Sequence, residues 1–180
     1  AHMSSRLIIS GLRSIEECIE NNPDRISKIL VAKGKTSPRI ERIQFLAREN
    51  KIKIEVNPNH DDEDGVLAIM KEYQYADFDQ EVIRLQDEIA DGKRPVVVVL
   101  DGVTDPHNLG AILRTAAFMG ISAVVLPKDR AAGITDTVYR IASGGVEHVR
   151  ISQVTNVVSA LKALKDVGFW IVGFSEHAEK

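Results

Sequence analysis

The chain has a single cysteine, Cys18, and so no internal disulfide. That excludes a disulfide-stapled secreted fold and points to a reducing, cytoplasmic setting. No apolar run approaches the roughly 20 residues of a membrane-spanning helix, so no membrane partner is expected. The opening Ala1-His2-Met3 reads as a vector-derived remnant, and no secretory signal follows it. No glycine triplet of the GxGxxG kind follows the apolar run Val96–Leu100, which argues against a dinucleotide site. No metal set is expected either, because His60 and Asp61–Asp64 lack the alternation of a calcium loop. Nor is there an excess of positive charge: the formal net charge is −3. Charge distribution matters more than this sum. Arg25, Lys28, Lys33, Lys35, Arg39, Arg42, Arg48, Lys51 and Lys53 crowd one segment, opposed between its ends only by Glu41 and Glu49. Such a local basic surface suits phosphate contacts, with Lys33, Lys35 and Arg39 as candidates; solvated helix and loop charge is the plainer reading.

What is present is a globular composition, 44% apolar over 180 residues, enough for one large or two small domains. Residues 4–75 read as a small α/β domain. Ile15, Cys18 and Ile19 sit at helical spacing before Asn21-Asn22-Pro23, Ile26–Ala32 and Val66–Met70 read as strands, Ile40–Leu46 suggests a second helix, and Ile52, Ile54 and Val56 alternate. Residues 76–94 read as a linker with an amphipathic helix through Phe78, Val82, Ile83, Leu85 and Ile89, closed by Asp91-Gly92. Residues 95–180 alternate strand and helix, with strands expected at 95–100, 123–127, about 147–151 and 169–174. That order predicts a buried parallel sheet.

The most informative stretch is DGVTDPHNLGAILRTAAFMG, residues 101–120. It joins two apolar runs through a polar loop and a helix, and ligands of parallel sheets lie beyond the strands' carboxyl ends. Asn108 is the expected N-cap. Leu109, Ile112, Leu113, Ala116 and Ala117 form the stripe facing the sheet, and Gly120 ends the helix. Arg114 lies off that stripe and is expected to lean back toward Gly110 and Asn108. An exposed helix arginine and a simple cap are the bland alternatives. Downstream, Gly144-Gly145 suits close backbone approach, and Glu147 suits a strand-start carboxylate paired with an arginine or a backbone amide. His107 is more simply a loop histidine making one hydrogen bond than a base.

DGVTDPHNLGAILRTAAFMG resembles the first motif of the SpoU (TrmH-like) family of RNA 2′-O-ribose methyltransferases, and AVVLPKDRAA and VYRIASGGVEHVRI are similar to segments of the same family. The nearest resemblance is to enzymes that methylate a guanosine ribose in large-subunit ribosomal RNA. It implies a small N-terminal α/β RNA-binding domain followed by the N-terminal part of a parallel-sheet SPOUT methyltransferase domain. The implied donor is S-adenosylmethionine, the implied partner ribosomal RNA, and the full-length protein an implied homodimer. Asn108 and Arg114 match the motif's asparagine and essential arginine, and Glu147 matches a glutamate common in the family. A guanidinium is effectively always protonated, so anchoring a phosphate or a developing alkoxide suits Arg114 better than acting as a general base. Two family segments, of the LVMGxEGxG and SLNVSxAxG kinds, are not found in these residues. They form the knot that holds the donor, so this chain is expected to be C-terminally truncated and a poor donor binder by itself. An RNA-binding module without catalytic activity is the alternative. Near the start stands Ser10-Gly11 where relatives often carry an aromatic, and Glu63-Asp64-Gly65 stands where they often carry His-Gln-Gly.

Overall fold

The structure, a computed structural model, describes residues 8–57 and 63–175. His60, Asp61 and Asp62, weighed above for metal binding, and the chain end at Lys180 lie outside the described residues. The chain divides into two compact units between Tyr73 and Gln74.

In the first unit, the strands are β1 (Ile8–Ser10), β2 (Ile26–Ala32), β3 (Lys53–Asn57) and β4 (Val66–Met70), and the helices are α1 (Leu12–Asn21) and α2 (Pro38–Glu49). Gly11, at φ 89°, lets the chain turn from β1 directly into α1. Ser37 caps α2 by accepting the Ile40 N–H at 3.2 Å, with Pro38 at the first helical position. The sheet order is β1-β4-β2-β3, with β2 and β3 parallel and the other pairs antiparallel. Register puts Ile29 opposite Ala68 and Val31 opposite Val66, and these four are buried along with Ile15, Ile19, Ile43 and Ala47 of the helices. Cys18 is buried, and its Sγ lies 3.9 Å from Met70 Sδ. β1, a three-residue edge, carries too little pattern to be read from sequence. Val56 is exposed although it alternates with Ile52 and Ile54, because β3 is the opposite edge of the sheet.

The second unit contains α3 (Phe78–Ala90), β5 (Val97–Val99), α4 (Pro106–Phe118), β6 (Ala123–Pro127), α5 (Asp136–Ile141), β7 (Ile151–Val154) and α6 (Val157–Asp166). β5, β6 and β7 are parallel neighbours in that order, Val98 opposite Val124 and Val124 opposite Ile151. Residues 76–94 are built into this unit rather than spanning a gap. Leu85 is buried with Ala123 and Leu164, and Phe78 and Val82 pack against them. Glu81, only 5% exposed, binds Arg84 at 2.7 Å and Arg150 at 3.1 Å, and Arg84 also donates to the Ser122 carbonyl at 3.1 Å.

Two expected strands differ. The third begins at Ile151, not near residue 147, because Gly145–Glu147 form a 3₁₀ turn. Val146 and Val149, three apart, are buried around that turn rather than by strand alternation. The fourth, 169–174, is not a strand: the described sheet has three strands, and Trp170 and Phe174 are more than nine-tenths exposed. An apolar run reads as a buried strand in sequence, but only a ladder partner makes it one.

Candidate functional site

The polar mouth beyond β5 is shaped by the start of α4. Asp105, not Asn108, is the N-cap, its Oδ1 accepting the His107 N–H at 2.9 Å. Proline decides this: Pro106 has no N–H to offer and a fixed φ that suits the first helical position. Asn108 therefore stands in the first turn, exposed, and His107 Nδ1 lies 3.5 Å from Asp105 Oδ1.

Leu109, Leu113 and Ala116 are buried as the stripe required, and Ile112 and Ala117 are half-buried beside them. The Arg114 side chain is exposed and makes no hydrogen bond or ion pair among the described residues; the same holds for the Asn108 side chain. Six residues separate the two, about 9 Å of rise and about 120° of rotation. Arg114 shares its stripe with Ala111 and His107 rather than with Asn108. The amide and the cation thus stand on different stripes of α4, Asn108 in its first turn and Arg114 past its middle, and do not converge as expected.

Two glycines bring other elements to α4. Gly110 is buried against α5, and a Cβ there would stand 2.8 Å from Cβ and Cγ2 of Ile141 and 3.1 Å from the Val138 carbonyl oxygen. Gly145 meets α4 at Arg114 itself, where a Cβ would lie 3.0 Å from Arg114 Cα and 3.1 Å from the Leu113 carbonyl oxygen. The chain reaches this position through Ser143 (φ 48°) and Gly144 (φ 83°), successive left-handed residues. Gly144 supplies the turn and Gly145 the close approach. Gly110→Ala is accordingly expected to lower stability by about 1–2 kcal/mol. The roughly 1 kcal/mol gained in helix propensity is outweighed by overpacking against a β-branched side chain and a carbonyl. Chemical denaturation checks the sign; a stabilised variant would show that α5 yields.

Glu147 ends the 3₁₀ turn, exposed, and its carboxylate accepts a hydrogen bond from the Tyr139 hydroxyl of α5. The expected partner was an arginine or a backbone amide. A tyrosine eight residues upstream leaves no signal in sequence, because only the packing of α5 on α4 brings the two together.

In the first unit the basic candidates differ from one another. Lys33 is exposed and makes no hydrogen bond or ion pair among the described residues. Lys35 donates to the Glu63 carbonyl, and its stem lies where a Cβ at Gly65 would stand. Arg39 faces Glu16 at 3.6 Å, and Arg42 pairs with Glu16 at 2.6 Å and Glu20 at 3.2 Å. Lys28 and Lys53 both hold Glu55 at 2.7 Å, and their hydrogen bonds keep its carboxyl pKa at about 2. Much of the basic segment is thus matched by acids distant in sequence. No group of three potential metal ligands occurs among the described residues.

Residues 95–180 match the sequence profile of the SpoU rRNA Methylase family, and residues 8–76 match that of the RNA 2′-O ribose methyltransferase substrate-binding domain. A Staphylococcus saprophyticus protein assigned to the TrmH family of tRNA/rRNA methyltransferases is 37% identical over 174 residues, 93% of this chain and 68% of the relative. A Staphylococcus aureus protein of the same assignment is 38% identical over 173 residues, 92% of this chain and 68% of the relative. Among solved structures, the SpoU methyltransferase AviRb of Streptomyces viridochromogenes, in complex with AdoMet, aligns with a TM-score of 0.61 at 17% identity, over 91% of this chain and 59% of that one. An AdoMet-bound rRNA methyltransferase from Sinorhizobium meliloti aligns with a TM-score of 0.59 at 20% identity, over 91% and 59%. The chain spans about two thirds of the curated relatives' length and under two thirds of those structures. At such identities the structures share the fold.

Proposed function

Because the chain belongs to the SpoU rRNA methylase family, we propose that it forms the RNA-docking and acceptor side of an S-adenosylmethionine-dependent RNA 2′-O-ribose methyltransferase acting on a guanosine of ribosomal RNA. One observation carries this reading: Arg114 presents an exposed guanidinium with no partner among the described residues, on a helix whose other face is fully used in packing. A ribose 2′-hydroxyl is a weak nucleophile that must be held in line with the donor's methyl group. A planar, permanently charged fork suits the adjacent phosphate and the negative charge that grows on the attacking oxygen. The first unit docks RNA through Lys33 and its neighbours, and the enzyme acts in the cytoplasm as a homodimer.

Enclosing the donor needs a slot for adenine and an anchor for its charged amino-acid end. Asp101, Asp105, His107 and Asn108 at the mouth are all exposed. The cavity of about 600 Å³ at the carboxyl ends of β6 and β7 lies at the sheet's other edge, lined by Asp77, Asp79, Lys128 and Asn156 among others. These residues do not by themselves fit the donor. Isothermal titration of the 180-residue chain with S-adenosylmethionine is therefore expected to give weak or no binding. A chain extended to the length of its relatives is expected to methylate ribose in a ribosomal RNA fragment. Base methylation, or RNA binding with no transfer by the extended chain, would overturn the reading; the second result would favour an RNA-binding module.

Lys33→Glu is expected to weaken RNA binding and to flatten its salt dependence by about one unit of slope, the share of one phosphate contact. Binding isotherms across salt concentrations check this. An unchanged slope would move the RNA to another face.

A further inference from the structure

We propose that Tyr75 is a positioning residue for the Arg114 site, acting through the loop that joins β6 to α5. This rests on the functional reading above. Tyr75 is the second residue of the second unit. Its neighbour Ala76 is fastened to the edge of the sheet, donating its N–H to the Ile151 carbonyl at 2.8 Å and bridging Ser152. The Tyr75 hydroxyl oxygen accepts the Ile134 N–H at 2.9 Å, and a Cβ at Gly133 would lie 3.3 Å from that oxygen. The ring is thus anchored at its backbone end by β7 and at its hydroxyl end by the β6–α5 loop.

That loop, Lys128–Thr135, contains no helix or strand of its own beyond the cap of α5, and Arg130 within it is left-handed at φ 55°. Two bonds tie its middle to other parts of the unit: Ile134 to Tyr75, and the Ala132 N–H to the Val103 carbonyl at 2.9 Å. Val103 belongs to the polar mouth, two residues before the Asp105 cap of α4. Toward the C-terminus, Ile134 precedes Thr135, which caps α5 by accepting the Val138 N–H at 3.4 Å. α5 in turn packs on Gly110 and carries the Tyr139 hydroxyl that holds Glu147. From one hydroxyl, the connections run one way to the mouth before α4 and the other way to the turn beside Arg114.

Tyr75→Phe keeps the ring and removes the acceptor. In the 180-residue chain, amide hydrogen exchange is expected to quicken about tenfold at Ile134 and roughly threefold at Ala132, with the Val124 amide of the sheet unchanged. In a chain extended to the length of its relatives, kcat for ribose methylation is expected to fall about tenfold with KM for RNA unchanged, because positioning rather than docking is lost. Faster exchange confined to Ile134, or unchanged kcat, would overturn the proposal. So would faster exchange at Val124, which would mean that the variant destabilises the unit as a whole. If the wild-type extended chain transfers no methyl group, the functional reading fails instead, and the Ala132 result still decides whether Tyr75 controls the loop.

Discussion

Arg114→Ala, in a chain extended to the length of its relatives, is expected to lower single-turnover methylation of a ribosomal RNA fragment by about 10²–10³-fold. The fold is expected to survive. The side chain is exposed and uncommitted among the described residues, and alanine keeps the Cβ while leaving unchanged the Cα that Gly145 packs against. No cavity opens. Arg114→Lys is also expected to be poor, since lysine retains the charge but loses the planar fork that grips a phosphate. Leu113→Ala is the contrasting control. Fully buried one residue away, it is expected to cost about 2–5 kcal/mol of stability and to affect turnover only through unfolding. Thermal unfolding measured beside the methylation assay separates the two outcomes. Wild-type turnover by Arg114→Ala, or a loss explained by unfolding, would make Arg114 a structural arginine.

Glu81→Ala is expected to destabilise the second unit by about 3 kcal/mol, the lower end of the range for breaking a buried pair. The carboxylate is 5% exposed and holds two arginines, one of which also satisfies the Ser122 carbonyl. Removing it leaves Arg84, largely buried, with its bonds to Glu88 and Ser122 only. Arg150 is more than half exposed and can recover water, which is why the lower figure is expected. The readout is exchange of slow amides such as Val124, which donates to the Arg150 carbonyl. A loss below about 1 kcal/mol would reduce the cluster to a screened surface pair.

Glu81 also shows where sequence reading stops. Its place in an amphipathic helix was clear, since Phe78, Val82 and Leu85 mark the buried face and Asp91-Gly92 the end. Its burial was not, because the arginine that shares it is 69 residues away in sequence. The basic segment behaves in the same way. Arg39 reads as a candidate phosphate contact, and Arg42 as part of the same basic segment, until α1 brings Glu16 and Glu20 alongside. Charge counted along a chain says nothing of which charges are already matched across the fold.

From the residues alone came the features that depend on near neighbours: β2, β4 and β6 as short apolar runs between turn residues, the buried stripe of α4, and Arg114 outside it. Periodicity of burial is a local property, and a long match to one family motif adds to it. Tertiary structure decided what depends on distant partners. The cap of α4 is the exception, a local signal: Pro106 at the first helical position makes Asp105 the cap rather than Asn108. Gly145 pressed the Glu147 turn onto Arg114's helix, and Tyr139 took the carboxylate. Phe169–Phe174, apolar enough for a strand, has no ladder partner among the described residues. Strand pairing, ion pairing and close backbone approach each need a second group, and a linear pattern does not record which group arrives.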